Sequence, residues 1–474
     1  MSAGVFLLVL VLAISALMFL IIKANLHPVF ALFTVSFITA IVVGFNAQEA
    51  IGLISSGFGG TLTGVGIPII LGAVLAMGIR DTGAVKSMAN FFIKLFRGKN
   101  LELAPSLTAY IVSIPVFGDI TMVLTSNIGS VLSKRKGISM ASMAAFTGLG
   151  LFITHGMVPP TPGILAISDT LKADLGLVIF WGIIISFVAF IGTWLLMRKW
   201  VAKEWIGPRE EVVKGIEQVE SDDIEALLIK EQNLPNAFES FLPILIPVIL
   251  IAAASFVGMS IEEGNLFRDI IVVLGDKVVA LSLALIYTMF LGLKYKNEVI
   301  ATNNEANSEN LTNIKDVIFN SWVKHGLEIA LSALLITAMG GAFGNVLKNA
   351  PAIGGLSDLI TSSPIPGILI PWAIGVIMMT AVGSMTTAGM TAAAIVFPML
   401  AASGGLGISA VAATLAIGAG TLMFDHVNNS GFWVMSQFFN LNTKQGLKYV
   451  TLPSVVASII SIILLAILST IGLV

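Results

Sequence analysis

The chain reads as an all-α polytopic membrane protein with two structurally repeated halves and about 10–14 transmembrane helices, some re-entrant or interrupted. Three observations predict this. Hydrophobic residues fill 56% of 474 positions and charged residues only 11%, with a mean hydropathy of +0.97, whereas a soluble globular chain carries roughly 25% charged residues. Apolar runs near the length a helix needs to cross the hydrocarbon core, about 20 residues, recur from end to end. Those runs lack the period-2 alternation of a barrel strand, and in lipid only helices and closed barrels satisfy their backbone groups.

The first run, Ala3–Ile22, has no basic flank and exceeds the apolar core of a signal peptide, so it is expected to be a retained spanning helix. Val29–Val43, Gly64–Gly78, Met140–Ile153 and Leu177–Met197 follow as spans of the first half. The second half supplies Phe241–Val257, Val278–Leu293, Ile329–Ala342, Ile408–Met423 and Leu452–Ile471. Two further apolar regions, Leu107–Leu132 and Ile365–Leu400, carry Gly and Pro in the middle. The polar stretch Arg198–Glu239 reads as a solvated connector, which divides the chain into an N-terminal repeat (1–198), a cytoplasmic connector (199–239) and a C-terminal repeat (240–474). A second polar stretch, Lys294–His325, is rich in Asn, Glu and Lys.

Basic residues near span ends set orientation. They cluster at Arg80–Lys99, Lys134–Lys136, Arg198–Lys203 and Lys294–Lys296. Placing all four on the cytoplasmic side agrees with the spans only if Leu107–Leu132 enters and returns on one side. Pro115 and Gly118 sit at its middle, where two half-helices would meet. A single kinked span is the alternative.

The halves echo one another. Gly137-Ile138-Ser139 opens an apolar helix that leads to His155, and Gly407-Ile408-Ser409 opens one that leads to Asp425-His426. A Pro- or Asn-bearing stretch follows each His, then a short amphipathic piece and a last long span. Upstream, Gly118-Asp119-Ile120-Thr121 has its counterpart in Gly383-Ser384-Met385-Thr386-Thr387. Interrupted helices at matching places in two repeats mark the binding site of many transporters.

Polar groups at membrane depth are costly, so their positions carry information. Asp119 lies within apolar sequence, and His155, Asp425 and His426 end apolar helices; these four are the candidates for proton coupling, since imidazole titrates near physiological pH. A histidine that caps a helix C-terminus is the structural alternative. Candidate substrate-binding residues are Gly118, Asp119, Thr121, Ser126 and Asn127, then Pro160 and Thr161 in the first break. Gly383, Ser384, Thr386, Thr387, Asn428 and Asn429 complete the set in the second half. Small hydroxylated residues at a broken helix offer N–H and O–H groups to a carboxylate; tight helix packing is their other use.

Other classes find no support. A net charge of −2 does not suit nucleic acid, and the absence of cysteine removes disulfides and thiol chemistry. No phosphate-binding GxxxxGK[ST] loop is present, histidines are too sparse for a metal cluster, and no nucleophile stands with a base, so neither an enzyme nor a bound cofactor is expected.

On these residues the sequence resembles the gluconate permease family, proton symporters for gluconate and related small acids within the ion transporter superfamily. The resemblance rests on NLHPVFALFTVSFITAIVVGF from Asn25, GGTLTGVGIPIILGAVLAMGIRDTGA from Gly59, Pro115-Val116-Phe117-Gly118-Asp119 and the His155–Gly163 segment. Gly383–Ala388 and the Asp425–Trp433 stretch, DHVNNSGFW, complete it. It departs at Thr161, where the family has His, and at Asp119, where it has Glu. Asn429 replaces an acidic residue, and Asp425 stands where small residues are usual. The resemblance implies import of gluconate or a related hydroxy or sugar acid through a bacterial inner membrane, with protons as coupling ion and sodium the lesser candidate. A D-amino acid such as D-serine, another small carboxylate, or an anion channel are the alternatives. The partners it implies are the carboxylate substrate, the lipid bilayer and further copies of the chain in a homo-oligomer.

Overall fold

The computed structural model describes residues 3–24, 26–116, 118–214, 216, 224–229, 233–351, 365–401, 405–427 and 429–474. Regular structure among them is helical throughout. The first half holds α1 (Ala3–Ile22), α2 (Pro28–Val42), α3 (Ala47–Asp81), α4 (Ala84–Phe96), α5 (Leu103–Val112), α6 (Gly118–Lys136), α7 (Met140–Met157), α8 (Pro162–Leu171) and α9 (Leu175–Val201). The second half opens with α10 (Ala237–Ser260), α11 (Leu266–Leu274), α12 (Lys277–Lys294), α13 (Lys296–Asn307) and α14 (Trp322–Lys348). It closes with α15 (Leu369–Val382), α16 (Met385–Ala401), α17 (Ala410–Thr421), α18 (Ser430–Phe438) and α19 (Leu452–Thr470). Single π-helical turns, Val317–Ser321 and Leu447–Thr451, lead into α14 and α19. Eight helical stretches among the described residues are long and apolar enough to cross a membrane.

The repeated Gly-Ile-Ser motif has a conformational reason. Gly137 and Gly407 both take left-handed backbone, φ 63° and 66°, which favours glycine. Ser139 and Ser409 then cap α7 and α17, accepting from Ala141 N and Ala412 N. Further along each helix a glycine lets a neighbour close in: a Cβ on Gly150 would lie 2.3 Å from the Ser106 carbonyl of α5, and one on Gly420 2.3 Å from the Trp372 carbonyl of α15. The two halves therefore share caps, spacing and close approaches.

The segment Leu107–Leu132 is a hairpin. α9 runs antiparallel to α7, because Gly182 abuts the Met157 carbonyl and Ser139 bonds the Glu204 carbonyl. α5 runs antiparallel to α9, since Glu102 accepts from Trp194 Nε1 and Tyr110 reaches Ile183. α6 is antiparallel to α7, with Gly129 beside Met143 and Gly118 beside Leu151. Its outer end returns to the connector, where Arg135 donates to the Leu228 carbonyl. The same-side entry and return deduced from charge is what the chain does. In the other half Gly383, at φ 71°, ends α15, and Ser384 caps α16 directly.

Two expected spans prove much longer. Gly64–Gly78 is the C-terminal part of the 35-residue α3, and Ile329–Ala342 lies within a 35-residue helical stretch, Ile314–Lys348. At 1.5 Å per residue each is about 50 Å long, against about 30 Å of hydrocarbon. Hydropathy missed their ends because these are built of small and polar residues that pack helix on helix. A Cβ on Gly57 would lie 2.8 Å from Ala342 Cα, and one on Gly326 would meet the Val74 backbone at 3.0 Å. At one end Trp322 Nε1 and Arg80 Nε donate to the two carboxylate oxygens of Asp81, at 2.8 and 2.6 Å. The amphipathic helices α4 and α11 and the polar helix α13 were not anticipated, because no long apolar run marks them. The connector's centre, 217–223, lies outside the described residues.

Glu204, just past α9, ties the halves together. It accepts from Lys448, Tyr449 and Gln445 at the start of the last helix. The bond from Lys448, then those from Tyr449 and Gln445, hold its carboxyl down at about 2. A depressed carboxylate contributes stability above its unfolded value and loses it as pH falls through the folded one. Glu204→Gln should therefore lower the melting temperature at neutral pH. The gap from wild type should close as pH falls from about 4.5 toward 2; a gap constant with pH would exclude this account. Gly150→Ala and Gly420→Ala should each destabilise by about 1–3 kcal/mol through overpacking. Gly59→Ala, with nothing within 4 Å of the added carbon, is the control in the same thermal melts.

Candidate functional site

A cavity of about 180 Å³ lies where both hairpin tips and both helix breaks meet. The first tip supplies Gly118 and Met122 from the start of α6, and α7 supplies Leu151, Phe152 and His155 from its last turns. The second tip adds Ser384, Met385 and Thr386 at the start of α16, and Asn429, Ser430 and Gly431 at the start of α18 close the wall. It is smaller than the 300–1,000 Å³ pockets of drug-sized ligands, and so suited to a small solute.

The electrostatics follow from which helix ends converge. The N-termini of α6, α16 and α18 all reach the cavity, and a helix N-terminus carries N–H groups with no partner inside its own helix and a partial charge of roughly +0.5. None of the described lining side chains is a lysine or arginine. An anion here would be held by helix ends, hydroxyls and an amide, with one imidazole beside them. His155 Nδ1 is buried and has no hydrogen-bond partner among the described residues.

Each break is secured by side chains. In the first, Thr161 Oγ1 donates to the carbonyls of His155 at 3.0 Å and Val158 at 3.2 Å, which the interrupted helix would leave unpaired. Pro160 is buried there, joined to Pro159 by a cis peptide bond. In the second, Asn429 caps α18 by accepting from Gly431 N at 2.8 Å, while its Nδ2 donates to Asp425 Oδ1. The Asp425 carbonyl accepts from Thr451 Oγ1, in the π turn before α19.

The anticipated residues thus divide. Gly118, His155, Ser384, Thr386 and Asn429 come together on the cavity wall. Thr387 lies one layer back, its hydroxyl donating to Ser384 Oγ at 3.1 Å, and Gly383 makes the turn. Asp425 is buried behind Asn429, whereas His426 is half-buried off the wall. Thr121 is buried, its carbonyl accepting from Thr125; Ser126 turns its hydroxyl back to the Val123 carbonyl, and Asn127 is exposed. Pro160 and Thr161 build the break rather than the wall. Asp119 belongs to the first turn of α6, but its side chain, like the whole of Asn428, lies outside the described residues. Sequence reasoning missed the apolar wall of Met122, Leu151, Phe152 and Met385, since nothing separates them from ordinary core residues. It also missed Thr451, because a π turn leaves no mark in sequence.

Residues 5–471 match the model of the GntP family permeases. An uncharacterized permease of Haemophilus influenzae is 30% identical over 456 residues, covering 94% of this chain and 89% of that protein. The high-affinity gluconate transporter of Escherichia coli is 27% identical over 459 residues, covering 96% and 98% respectively. The Gnt-II system L-idonate transporter of the same organism is 27% identical over 457 residues, covering 96% and 97%. Two solved structures share the fold: the YdaH transporter of Alcanivorax borkumensis, with a TM-score of 0.57 at 14% identity, and MtrF of Neisseria gonorrhoeae, with 0.60 at 12%. Each is covered over 94% of this chain, and over 99% and 95% of its own length.

The bonding in the first break separates architecture from recognition. Thr161→Val should cost about 1–3 kcal/mol by leaving two buried carbonyls unpaired. The thermal melt should move, while the affinity of the remaining folded protein for a small acid changes by less than threefold; a tenfold loss of affinity would put Thr161 in the site.

Proposed function

We propose, because the chain belongs to the GntP permease family, that it imports gluconate or a related small hydroxy acid by proton symport. The observation that carries this is the convergence of three helix N-termini on one small cavity between the repeats, which favours an anion with no lysine or arginine among the described lining residues. The acid's carboxylate would sit at the tip formed by Ser384 and Thr386, with its hydroxyls toward Asn429 and Ser430. His155 shares that wall and can carry one proton. Asp425, buried behind Asn429, and Asp119 are the further candidates for proton coupling. Hairpin tips that meet near the middle of the bundle suit alternating access, in which the repeats rock and expose the cavity to one side and then the other.

In this reading the protein is a multi-pass protein of the bacterial inner membrane and works without a cofactor. Its connector, 199–239, is cytoplasmic and divides the repeats at 198 and 240, and copies of the chain associate as a homo-oligomer. The cavity's size leaves room in the same substrate class for a shorter hydroxy acid or a D-amino acid.

Proteoliposomes with an imposed inward proton gradient test the whole reading. Labelled D-gluconate should accumulate above equilibrium, and unlabelled sugar acids, glycerate or D-serine should displace it according to their fit. Absence of accumulation for every acid would sink the symport; uptake that stops at equilibrium and does not saturate would indicate a channel. His155→Gln should abolish gradient-driven accumulation while counterflow exchange persists at a reduced rate. Unimpaired accumulation in that variant would remove His155 from the coupling path.

A further inference from the structure

We infer that Asp425 is a positioning residue, which holds Asn429 so that an amide N–H, and not the amide oxygen, is turned toward the cavity. This rests on the reading of that cavity as the substrate site.

The orientation of an asparagine follows from its partners. The Gly431 N–H can only donate, so the Asn429 atom 2.8 Å from it is the oxygen. Nδ2 then faces Asp425 Oδ1, and a carboxylate oxygen accepts from it. Reversing the amide would set oxygen against oxygen and N–H against N–H, both buried. The pinned Nδ2 keeps one hydrogen beyond the one given to Asp425, and Asn429 lies on the cavity wall. That hydrogen suits an acceptor, such as a carboxylate or hydroxyl oxygen of the substrate.

Asp425 is held in turn. It is 1% exposed, is absent from the cavity wall, and its carbonyl is fixed by the Thr451 hydroxyl. Its other carboxylate oxygen, Oδ2, is buried with no hydrogen-bond partner among the described residues. A proton on Oδ2 would leave Oδ1 free to accept from Asn429. The donor face of Asn429 is therefore preserved whether Asp425 is charged or neutral, and recognition of the substrate is insulated from any proton that Asp425 takes up.

Two substitutions separate positioning from charge. Asp425→Asn keeps an oxygen that can accept from Asn429, whereas Asp425→Ala removes the acceptor. In purified full-length protein, D-gluconate affinity should fall about tenfold, the equivalent of one hydrogen bond, in Asp425→Ala and Asn429→Ala. It should stay within threefold of wild type in Asp425→Asn. A structure of the Asp425→Ala variant should show Asn429 released from its single orientation. Wild-type affinity in Asp425→Ala, or Asn429 unmoved there with its Gly431 contact intact, would overturn the inference. If the wild-type protein fails to bind D-gluconate, the functional reading loses that substrate, while the orientation of Asn429 still decides this one.

Discussion

Every structural choice near the cavity answers to one constraint: a helix interrupted inside a membrane must find new partners for the backbone groups it frees, because lipid offers none. Thr161 bonds two carbonyls at the first break, and Asn429 caps the helix that restarts after the second. Thr451 reaches the Asp425 carbonyl from a neighbouring helix. At the hairpin tip, Ser384 accepts from Thr387 N and so starts α16. With those carbonyls bonded, the helix ends that reach the cavity are the N-termini of α6, α16 and α18. An anion site thus arises from the same geometry that makes the breaks tolerable.

Glycine allows those breaks to sit close together. Gly150 and Gly420 admit backbone carbonyls of the hairpins at distances that no side chain permits, and a Cβ on Gly418 would lie 2.3 Å from the Gly156 carbonyl. Small residues at helix contacts are the usual solution where lipid removes the hydrophobic drive for helix association. Here they bring two half-helices from each repeat to a single volume. The long helices α3 and α14 use the same device along their shared face.

The two departures from the resembled family in the second break are not independent, since Asp425 and Asn429 touch. A carboxylate on the buried side and an amide on the cavity side form one hydrogen-bonded unit. Considered singly, each looked like a loss or gain of charge in the site.

Composition and apolar run length by themselves determined that this chain is a helical membrane protein, because the backbone's need for partners in lipid leaves few architectures. The positions of the breaks were legible too: Pro115, Pro159-Pro160 and Gly383 fall where helices stop, in company with further glycines or prolines, whereas the single prolines Pro68 and Pro398 are carried inside helices. The paired Gly-Ile-Ser motifs announced the repeat through a left-handed glycine and a serine cap. Basic clusters exposed the first hairpin. Which polar residues face the cavity was not legible, because a hydroxyl in a helix can turn back to a carbonyl in its own preceding turn, as those of Thr125 and Ser126 do, or outward to a ligand, and the sequence is the same in both cases. The length of α3 and the π turn that presents Thr451 were likewise decided by packing against distant segments. Tertiary structure alone could make that decision, since the contacts that select among these options join residues far apart in the chain.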